Sequence, residues 1–436
     1  MAASYVLDPY FPLAEGLESA FSVEPAAIKF GPGVLREVGA DARGLGLSRV
    51  GLFTDPRVRT LEPFAVVLNS LRAAGVDVAI YDQVLVEPSD QSMIAAAAFA
   101  TEARLDGVIS LGGGSVIDTT KAANLLSSYP ADFLDYVAVP IGRGKPVPGA
   151  LKPHIACPTT FGTASETTGF AVFDLLALEV KTAFVSRRIR PTLGVLDPTN
   201  LASLPPLVVA ANGFDVLSHA IESYTARPFT ARPRPTEPAA RPVSQGANPY
   251  GDLACLEAIR IAARHLEAAV LDPDNRPARD RLMFASLLAG IGFGNSGTQL
   301  PHAMSYPVSG KVRDYRAPGW PDDEALVPHG IAVVVNAPAA VRWAAAAAPE
   351  RHRAVLAAFG EEAPAAEAGE RLATRLTRLM RATGIPNGLS GLGYGEADIP
   401  DLAAGAFLQK RLIDNSPRPA TEADLATLFR AALRYW

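Results

Sequence analysis

The sequence predicts an α/β chain in two parts: a helix-covered parallel sheet over residues 1–199, then an all-helical domain over residues 200–436. Three observations predict it. Up to about residue 199, short apolar and β-branched runs alternate with stretches of helical length, the pattern of a parallel sheet covered on both faces. One of those runs ends in a glycine turn that opens a helix. After Asp197-Pro198 the short runs give way to long helical segments.

In chain order, strands are expected at Ala27 to Phe30, Arg49 to Phe53, Val76 to Tyr81, Gly107 to Leu111, His154 to Pro158 and Leu193 to Leu196. Helices are expected between them, for instance Pro63 to Ala74 and Gln91 to Leu105. The second part offers helices at Leu207 to Tyr224, Asp252 to Leu266, Arg279 to Ile291 and Ala365 to Thr383. One segment interrupts it. Arg227 to Tyr250 is rich in proline and arginine, and proline at that density prevents a regular helix. It reads either as a solvated excursion or as a loop bringing Arg241 to a substrate carboxylate, which a guanidinium fork matches bidentately. No internal repeat is evident.

Val108-Ile109-Ser110-Leu111 is followed at once by Gly112-Gly113-Gly114-Ser115, and a helix then begins through Val116, Asp118 and Lys121. A strand, a glycine turn and a helix N-terminus place backbone N–H groups and the helix dipole beside an anion, which makes a pyrophosphate site of a Rossmann-like kind. The turn is neither Gly-x-Gly-x-x-Gly nor a Walker A loop, and an ordinary glycine turn uses the same residues. Upstream, Val50-Gly51-Leu52-Phe53-Thr54-Asp55 is a strand ending in an acid. Such an Asp either accepts ribose hydroxyls, which favours NAD over NADP, or merely ends the strand. Cys157 to Gly169 holds Thr159, Thr160, Thr163 and Ser165, suited to a loop over polar ligand atoms or to common turn chemistry.

Three of the six histidines, His219, His302 and His329, are candidate ligands of one metal ion together with Asp215. Asp215 and His219 share a helical face at i, i+4, although that pair alone recurs by chance. A carboxylate with three imidazoles suits Fe²⁺ or Zn²⁺.

In this order, the segments resemble the iron-containing (group III) alcohol dehydrogenase family, with its dehydroquinate synthase-like fold. Within that family the chain is most similar to the hydroxyacid-oxoacid transhydrogenase branch. That likeness is carried by Asp132 to Val137, Pro140 to Pro146, Phe214 to Thr225, Arg241 to Pro249, Gly290 to Asn295 and His302 to Gly310. The resemblance implies metal ligation by Asp215, His219, His302 and His329. It implies NAD(H) binding by Asp55, Gly112, Gly113, Gly114, Ser115, Asp118, Thr159, Thr160, Thr163, Ser165 and Lys181. It implies hydride passing from 4-hydroxybutyrate to 2-oxoglutarate through a retained cofactor, at a cleft between the two domains, in a homodimer or larger assembly. Many members carry a histidine four residues after the ligand equivalent to His302, whereas here Tyr306 stands there, as in the transhydrogenase branch. A phenol titrates near pH 10, so Tyr306 is a poor proton acceptor; it either donates a hydrogen bond in catalysis or packs. An NAD-exchanging alcohol or 4-hydroxybutyrate dehydrogenase requires the same motifs. A dehydroquinate-synthase type of lyase typically presents a Glu with two His, and a non-enzymatic scaffold does not need an intact ligand set.

The net charge of −5 gives no electrostatic reason to bind nucleic acid, and no apolar run is long enough to span a bilayer. Two cysteines, Cys157 and Cys255, imply no disulfide framework. Met1-Ala2-Ala3-Ser4-Tyr5-Val6-Leu7-Asp8 has neither a signal-peptide core nor the character of a mitochondrial presequence, so a cytoplasmic location is expected. Abundant Ala and Arg suggest a GC-rich bacterial source.

Overall fold

The computed structural model describes residues 7–11, 13–178, 180–321 and 325–436; the opening Met1–Val6, read above for targeting signals, lies outside them. The chain divides into two compact units, Glu24–Ser203 and Met1–Val23 with Leu204–Trp436.

The first unit carries β1 (Ala27–Phe30), β2 (Arg49–Phe53), β3 (Asp77–Tyr81), β4 (Gly107–Gly112), β5 (His154–Pro158), β6 (Phe170–Leu175), β7 (Val180–Val185) and β8 (Leu193–Leu196). Six of these form one sheet in the order β1-β8-β5-β4-β2-β3, and every pair in it is parallel. Its helices are α1 (Val38–Gly44), α2 (Glu62–Ala73), α3 (Asp90–Glu102), α4 (Gly114–Ser128) and α5 (Phe133–Tyr136). Alternate strand residues face opposite ways. Leu52 and Ile109 join one core with Phe64, Val67 and Leu71 of α2. Phe53 and Val108 join another with Ala96 and Ala100 of α3 and Val116 of α4. Burial on both faces explains why these strands read as continuous apolar runs rather than alternating ones.

From β2 the chain moves outward to β3, then returns past β2 to β4 and continues the other way to β5. The carboxyl ends of β2 and β4 therefore lie side by side where the winding reverses, the usual ligand crevice of such sheets. Phe53 pairs with Ser110, and the Thr54 hydroxyl donates to the Leu111 carbonyl at 2.8 Å, which fixes that edge. The sequence reading had no place for β6 and β7, which pair antiparallel as a separate two-stranded sheet. Phe173 and Phe184 of this hairpin pack with Leu125 of α4 and Tyr136.

The second unit carries α6 (Pro206–Thr225), α7 (Pro249–Leu271), α8 (Arg276–Ser296), α9 (Leu300–Gly310), α10 (His329–Val334), α11 (Ala337–Ala345), α12 (Pro349–Ala358), α13 (Ala365–Ala382), α14 (Ile399–Phe407), α15 (Lys410–Ile413) and α16 (Glu422–Ala431). Pro206 in the first turn presets φ for α6. Beyond that, Gly213 and several β-branched residues make it a mediocre helix by propensity. Tertiary burial holds it instead. It is buried nearly all round, packing on α7, α8 and α10, and each fully buried Val, Leu or Phe contributes roughly 1.5–3 kcal/mol. No helix among the described residues is long and apolar enough to cross a membrane.

The Pro/Arg-rich segment forms two short 3-10 turns, Phe229–Ala231 and Pro238–Ala240, and clasps the chain's beginning. Glu18 N–H donates to the Arg232 carbonyl at 2.8 Å, Ser22 and Gln245 exchange hydrogen bonds at 2.9 Å each, and Tyr10 donates to Asp252 at 2.6 Å.

Candidate active site

Gly112 ends β4, Gly113 caps α4 and Gly114 is its first residue, so the first turn of α4 presents backbone N–H groups at the sheet's carboxyl edge. Glycine is required here by space. A Cβ on Gly112 would lie 2.4 Å from a Val116 methyl, and one on Gly114 would lie 2.7 Å from the Thr163 hydroxyl. A Cβ on Gly113 would stand 3.3 Å from Thr160 Oγ1. Thr160 and Thr163 thus lie directly against the turn, and Thr159 N–H donates to the Gly112 carbonyl at 3.0 Å. The turn is packed too closely for side chains, so what it offers a ligand is main-chain N–H at a helix N-terminus, which fits a pyrophosphate.

Other residues expected to contact nucleotide also have partners within the protein. Asp118 accepts from the Ser165 hydroxyl and, at 2.9 Å, from Val172 N–H, and it pairs with Lys121 at 3.3 Å. Lys121 is fully buried and donates to Ser165 at 2.5 Å and to the Phe170 carbonyl at 2.6 Å. Ser115 Oγ accepts from Glu87 N–H at 3.3 Å. Lys181 lies on the hairpin that was missed, buried between Glu87 at 2.7 Å and Asp174 at 3.0 Å. Its ammonium lies between two carboxylates of the chain itself. Asp55 sits just past β2, its Oδ1 accepting from Arg57 and Val58 N–H at 2.9 Å each. In the same loop as Thr163, burial raises the Glu166 carboxyl to about 7, a feature the sequence reading did not single out.

In the helical unit, Asp215, His219, His302 and His329 come together, with one ligand atom from each all within 4.8 Å of one another. Asp215 Oδ1 stands 3.6 Å from His219 Nδ1, 3.7 Å from His302 Nε2 and 3.6 Å from His329 Nε2. The local causes can be named. Asp215 and His219 share one face of α6. Gly330 lets the start of α10 cross α6 closely, because a Cβ there would lie 2.1 Å from the Ala211 carbonyl, one turn before Asp215. That crossing sets His329 beside Asp215. Phe293 of α8 stacks on the His219 ring with centroids 3.9 Å apart.

Glu222 completes the arrangement. Its Oε1 lies 2.7 Å from His302 Nδ1, while Oε2 accepts from Gln299 N–H at 2.7 Å. A carboxylate bonded to one ring nitrogen turns the other toward a metal and raises its basicity. The His302 Nε2 it exposes is buried and has no hydrogen-bond partner among the described residues. Burial presses this ring toward neutrality, but Glu222 and Asp215 outweigh it and hold its pKa above the ordinary histidine value. An imidazole nitrogen drawn toward positive charge, facing a carboxylate and two more imidazoles, fits a divalent cation. Glu222 follows His219 by three residues on the face of Asp215, and that spacing was the signal that could have found it.

Tyr306 lies one turn after His302 on α9 and is buried. Its hydroxyl accepts a hydrogen bond from Arg411, a residue missed by sequence. Arg241, expected at a substrate carboxylate, has a carboxylate partner within the chain. Its guanidinium forks onto Glu18 at 2.8 and 3.0 Å, and that pairing lowers the Glu18 carboxyl to about 2. The carboxylate this arginine holds is the chain's own.

A glycine cradle on a parallel sheet and an Asp-His₃ cluster together define a metal-dependent oxidoreductase type. The iron-containing alcohol dehydrogenase family model matches residues 25–198, and the model of that family's C-terminal part matches residues 242–433. The chain is 45% identical over 430 residues to the mitochondrial hydroxyacid-oxoacid transhydrogenase of Bos taurus, covering 98% of this chain and 92% of the relative. It is 44% identical, with the same coverage, to that of Homo sapiens. Among solved structures, a 1,3-propanediol oxidoreductase superposes with TM-score 0.83 at 31% identity, covering 95% of this chain and all of the other. A sulfoacetaldehyde reductase of Bifidobacterium kashiwanohense in complex with NAD⁺ superposes with TM-score 0.77 at 26% identity, covering 96% and 99%. The protein belongs to the iron-containing alcohol dehydrogenase family. Within it, the chain sits with the hydroxyacid-oxoacid transhydrogenases.

These relatives overturn the expected cytoplasmic location, since they are named as mitochondrial proteins, and they lend nothing to a bacterial source. Few cysteines and a mild negative charge suit any reducing compartment, so composition had no power to choose between them.

Proposed function

We propose that the protein is a hydroxyacid-oxoacid transhydrogenase, moving a hydride and a proton from 4-hydroxybutyrate to 2-oxoglutarate to give succinate semialdehyde and 2-hydroxyglutarate. The convergence of Asp215, His219, His302 and His329 within 4.8 Å carries this reading, and similarity over nearly the whole chain to proteins of that name supports it. In this reading the nucleotide belongs to the parallel-sheet unit and the metal to the helical unit. The four side chains hold a divalent cation, Fe²⁺ in preference to Zn²⁺, and Glu222 fixes the His302 ring for it. The Gly112–Gly114 turn holds the pyrophosphate of NAD(H), with Thr160 and Thr163 against it. When bound, the cation supplies Lewis-acid polarisation of the substrate oxygen and the nicotinamide accepts and returns hydride. The chain's own work is positioning, which in such reactions accounts for much of the rate. A homodimer or larger assembly belongs to the same proposal.

The test is to incubate metal-loaded enzyme with 4-hydroxybutyrate and 2-oxoglutarate, with no nucleotide added, and to follow 2-hydroxyglutarate. Multiple turnovers per chain are expected. Activity that appears only with added NAD, accompanied by free NADH, makes the protein an NAD-exchanging dehydrogenase instead.

A further inference from the structure

The helical unit contains a small cavity between α6, the start of α9, α11, α12 and α13, and Glu222 forms part of its wall. Its volume is about 20 Å³, room for roughly one or two waters and too little for an organic ligand. Much of the wall is apolar, built from alanines of α11 with Val341 and Leu376. Three polar side chains also open on it: Ser218 of α6, Gln299 at the N-cap of α9 and His352 of α12, which are 4%, 3% and 1% exposed.

Each of the three presents one uncommitted polar atom. His352 Nδ1 lies 2.8 Å from the Ala348 carbonyl, which can only accept, so Nδ1 carries the proton and Nε2 is a bare acceptor. Burial holds this ring's pKa below the ordinary histidine value, and the Arg351 charge adds to the effect, so the imidazole is neutral at pH 7. Gln299 donates both amide hydrogens, to the Glu222 carbonyl at 2.8 Å and to the Thr225 hydroxyl at 2.9 Å, which leaves Oε1. The Ser218 hydroxyl, like His352 Nε2 and Gln299 Oε1, has no partner among the described residues. Two acceptors and one hydroxyl are the complement of a single water, which donates to Nε2 and Oε1 and accepts from Ser218. Buried waters are held by two to four polar groups of this kind. An apolar occupant would leave all three desolvated and unbonded.

Gln299 connects this cavity to the metal ligands. Its main-chain N–H donates to Glu222 Oε2 at 2.7 Å and its side chain donates to the Glu222 carbonyl. It therefore grips the carboxylate whose Oε1 lies 2.7 Å from His302 Nδ1. We infer that a water bound by His352, Gln299 and Ser218 is a built-in part of the helical unit, and that through Gln299 and Glu222 it helps fix the His302 ring for its metal. This rests on the reading of Asp215, His219, His302 and His329 as metal ligands, and goes beyond it by naming what steadies Glu222. His352 is then a positioning residue, acting on His302 through the water, Gln299 and Glu222 in turn. Without the acceptor on His352 the water is held less well, the Gln299 amide is freer to turn, and its hold on Glu222 loosens.

The experiment compares wild type, His352→Phe, His352→Gln and Ser218→Ala. Zn²⁺ affinity is read by competition with a chelator, thermal unfolding is read on metal-free protein, and crystals of the Zn²⁺-loaded wild type are refined for ordered water. Wild type is expected to show a water within hydrogen-bond distance of His352 Nε2 and Gln299 Oε1. His352→Phe keeps the ring's bulk without its acceptor and is expected to bind Zn²⁺ about threefold to tenfold more weakly, less than the loss expected for a group bonded directly to a ligand. His352→Gln brings an amide oxygen near the place of Nε2 and should stay within about twofold of wild type. Ser218→Ala removes one of the water's partners, is expected to lose about threefold, and carries the test if the phenylalanine variant does not fold. A purely structural role for His352 would lower the thermal midpoint of both its variants with no split between them in affinity. Unchanged affinity in His352→Phe or Ser218→Ala, equal losses in the phenylalanine and glutamine variants, or a dry cavity in the wild-type crystal overturns the inference and leaves the ligand assignment standing. A wild type that takes up no Zn²⁺, or a His302→Ala variant that takes it up undiminished, overturns both.

Discussion

The glycine turn of the sheet unit is made of main chain from one continuous stretch, with two threonine side chains closing on it. The Asp215 cluster of the helical unit is made of side chains from α6, α9 and α10, held by Glu222 and Phe293. Main-chain recognition depends on the absence of side chains and is damaged by adding atoms. Side-chain recognition depends on orientation and is damaged by removing them. The two should therefore respond to opposite kinds of substitution.

The largest effect is expected from His302→Ala, which removes a ligand and leaves Glu222 buried with no imidazole to orient. Turnover should fall by about three orders of magnitude or more, and metal measured per chain should drop well below that of wild type, with the far-ultraviolet spectrum retained. A variant that keeps full activity without metal would falsify the assignment of the cluster. Next comes Glu222→Gln, which leaves all four ligands but takes away the charge behind His302. Competition with a chelator should show metal affinity lowered by about 10–100-fold. An unchanged affinity would mean that His302 is oriented by packing alone. The smallest effect is expected on the other side, from Gly114→Ala. One methyl placed 2.7 Å from Thr163 Oγ1 should weaken NADH binding by about tenfold while metal content stays the same. If metal and nucleotide affinities fell together, the contrast between main-chain and side-chain recognition would be lost.

What the sequence made legible follows the same division. The six strands of the parallel sheet fall within a residue of their expected bounds, because apolar runs flanked by turns are local signals. Gly112 to Ser115 could be read for the same reason. The ligand set was read from resemblance and the i, i+4 pair, since nothing local joins His302 or His329 to Asp215. The β6–β7 hairpin escaped because the reading was organised around strand–helix alternation, and a hairpin outside the main sheet breaks that rhythm. With it went the environment of Lys181. Arg411 had no local signal at all: it is one arginine among many, singled out only when α15 folds back beside α9. Arg241 drew attention for its composition-rich surroundings, which serve instead to bind the chain's beginning.

That binding has a consequence for how the molecule can be cut. Tyr10, Glu18 and Ser22 are synthesised first but dock on Asp252, Arg241 and Gln245, with the whole sheet unit emerging between. The metal-bearing half is thus sewn from two separated stretches of polypeptide and cannot be completed until late in translation. A truncation at residue 24 would spare the sheet unit yet expose the buried Asp252 and Arg351 pair beneath Tyr10, so damage done at the amino terminus should register as weakened metal retention far along the chain.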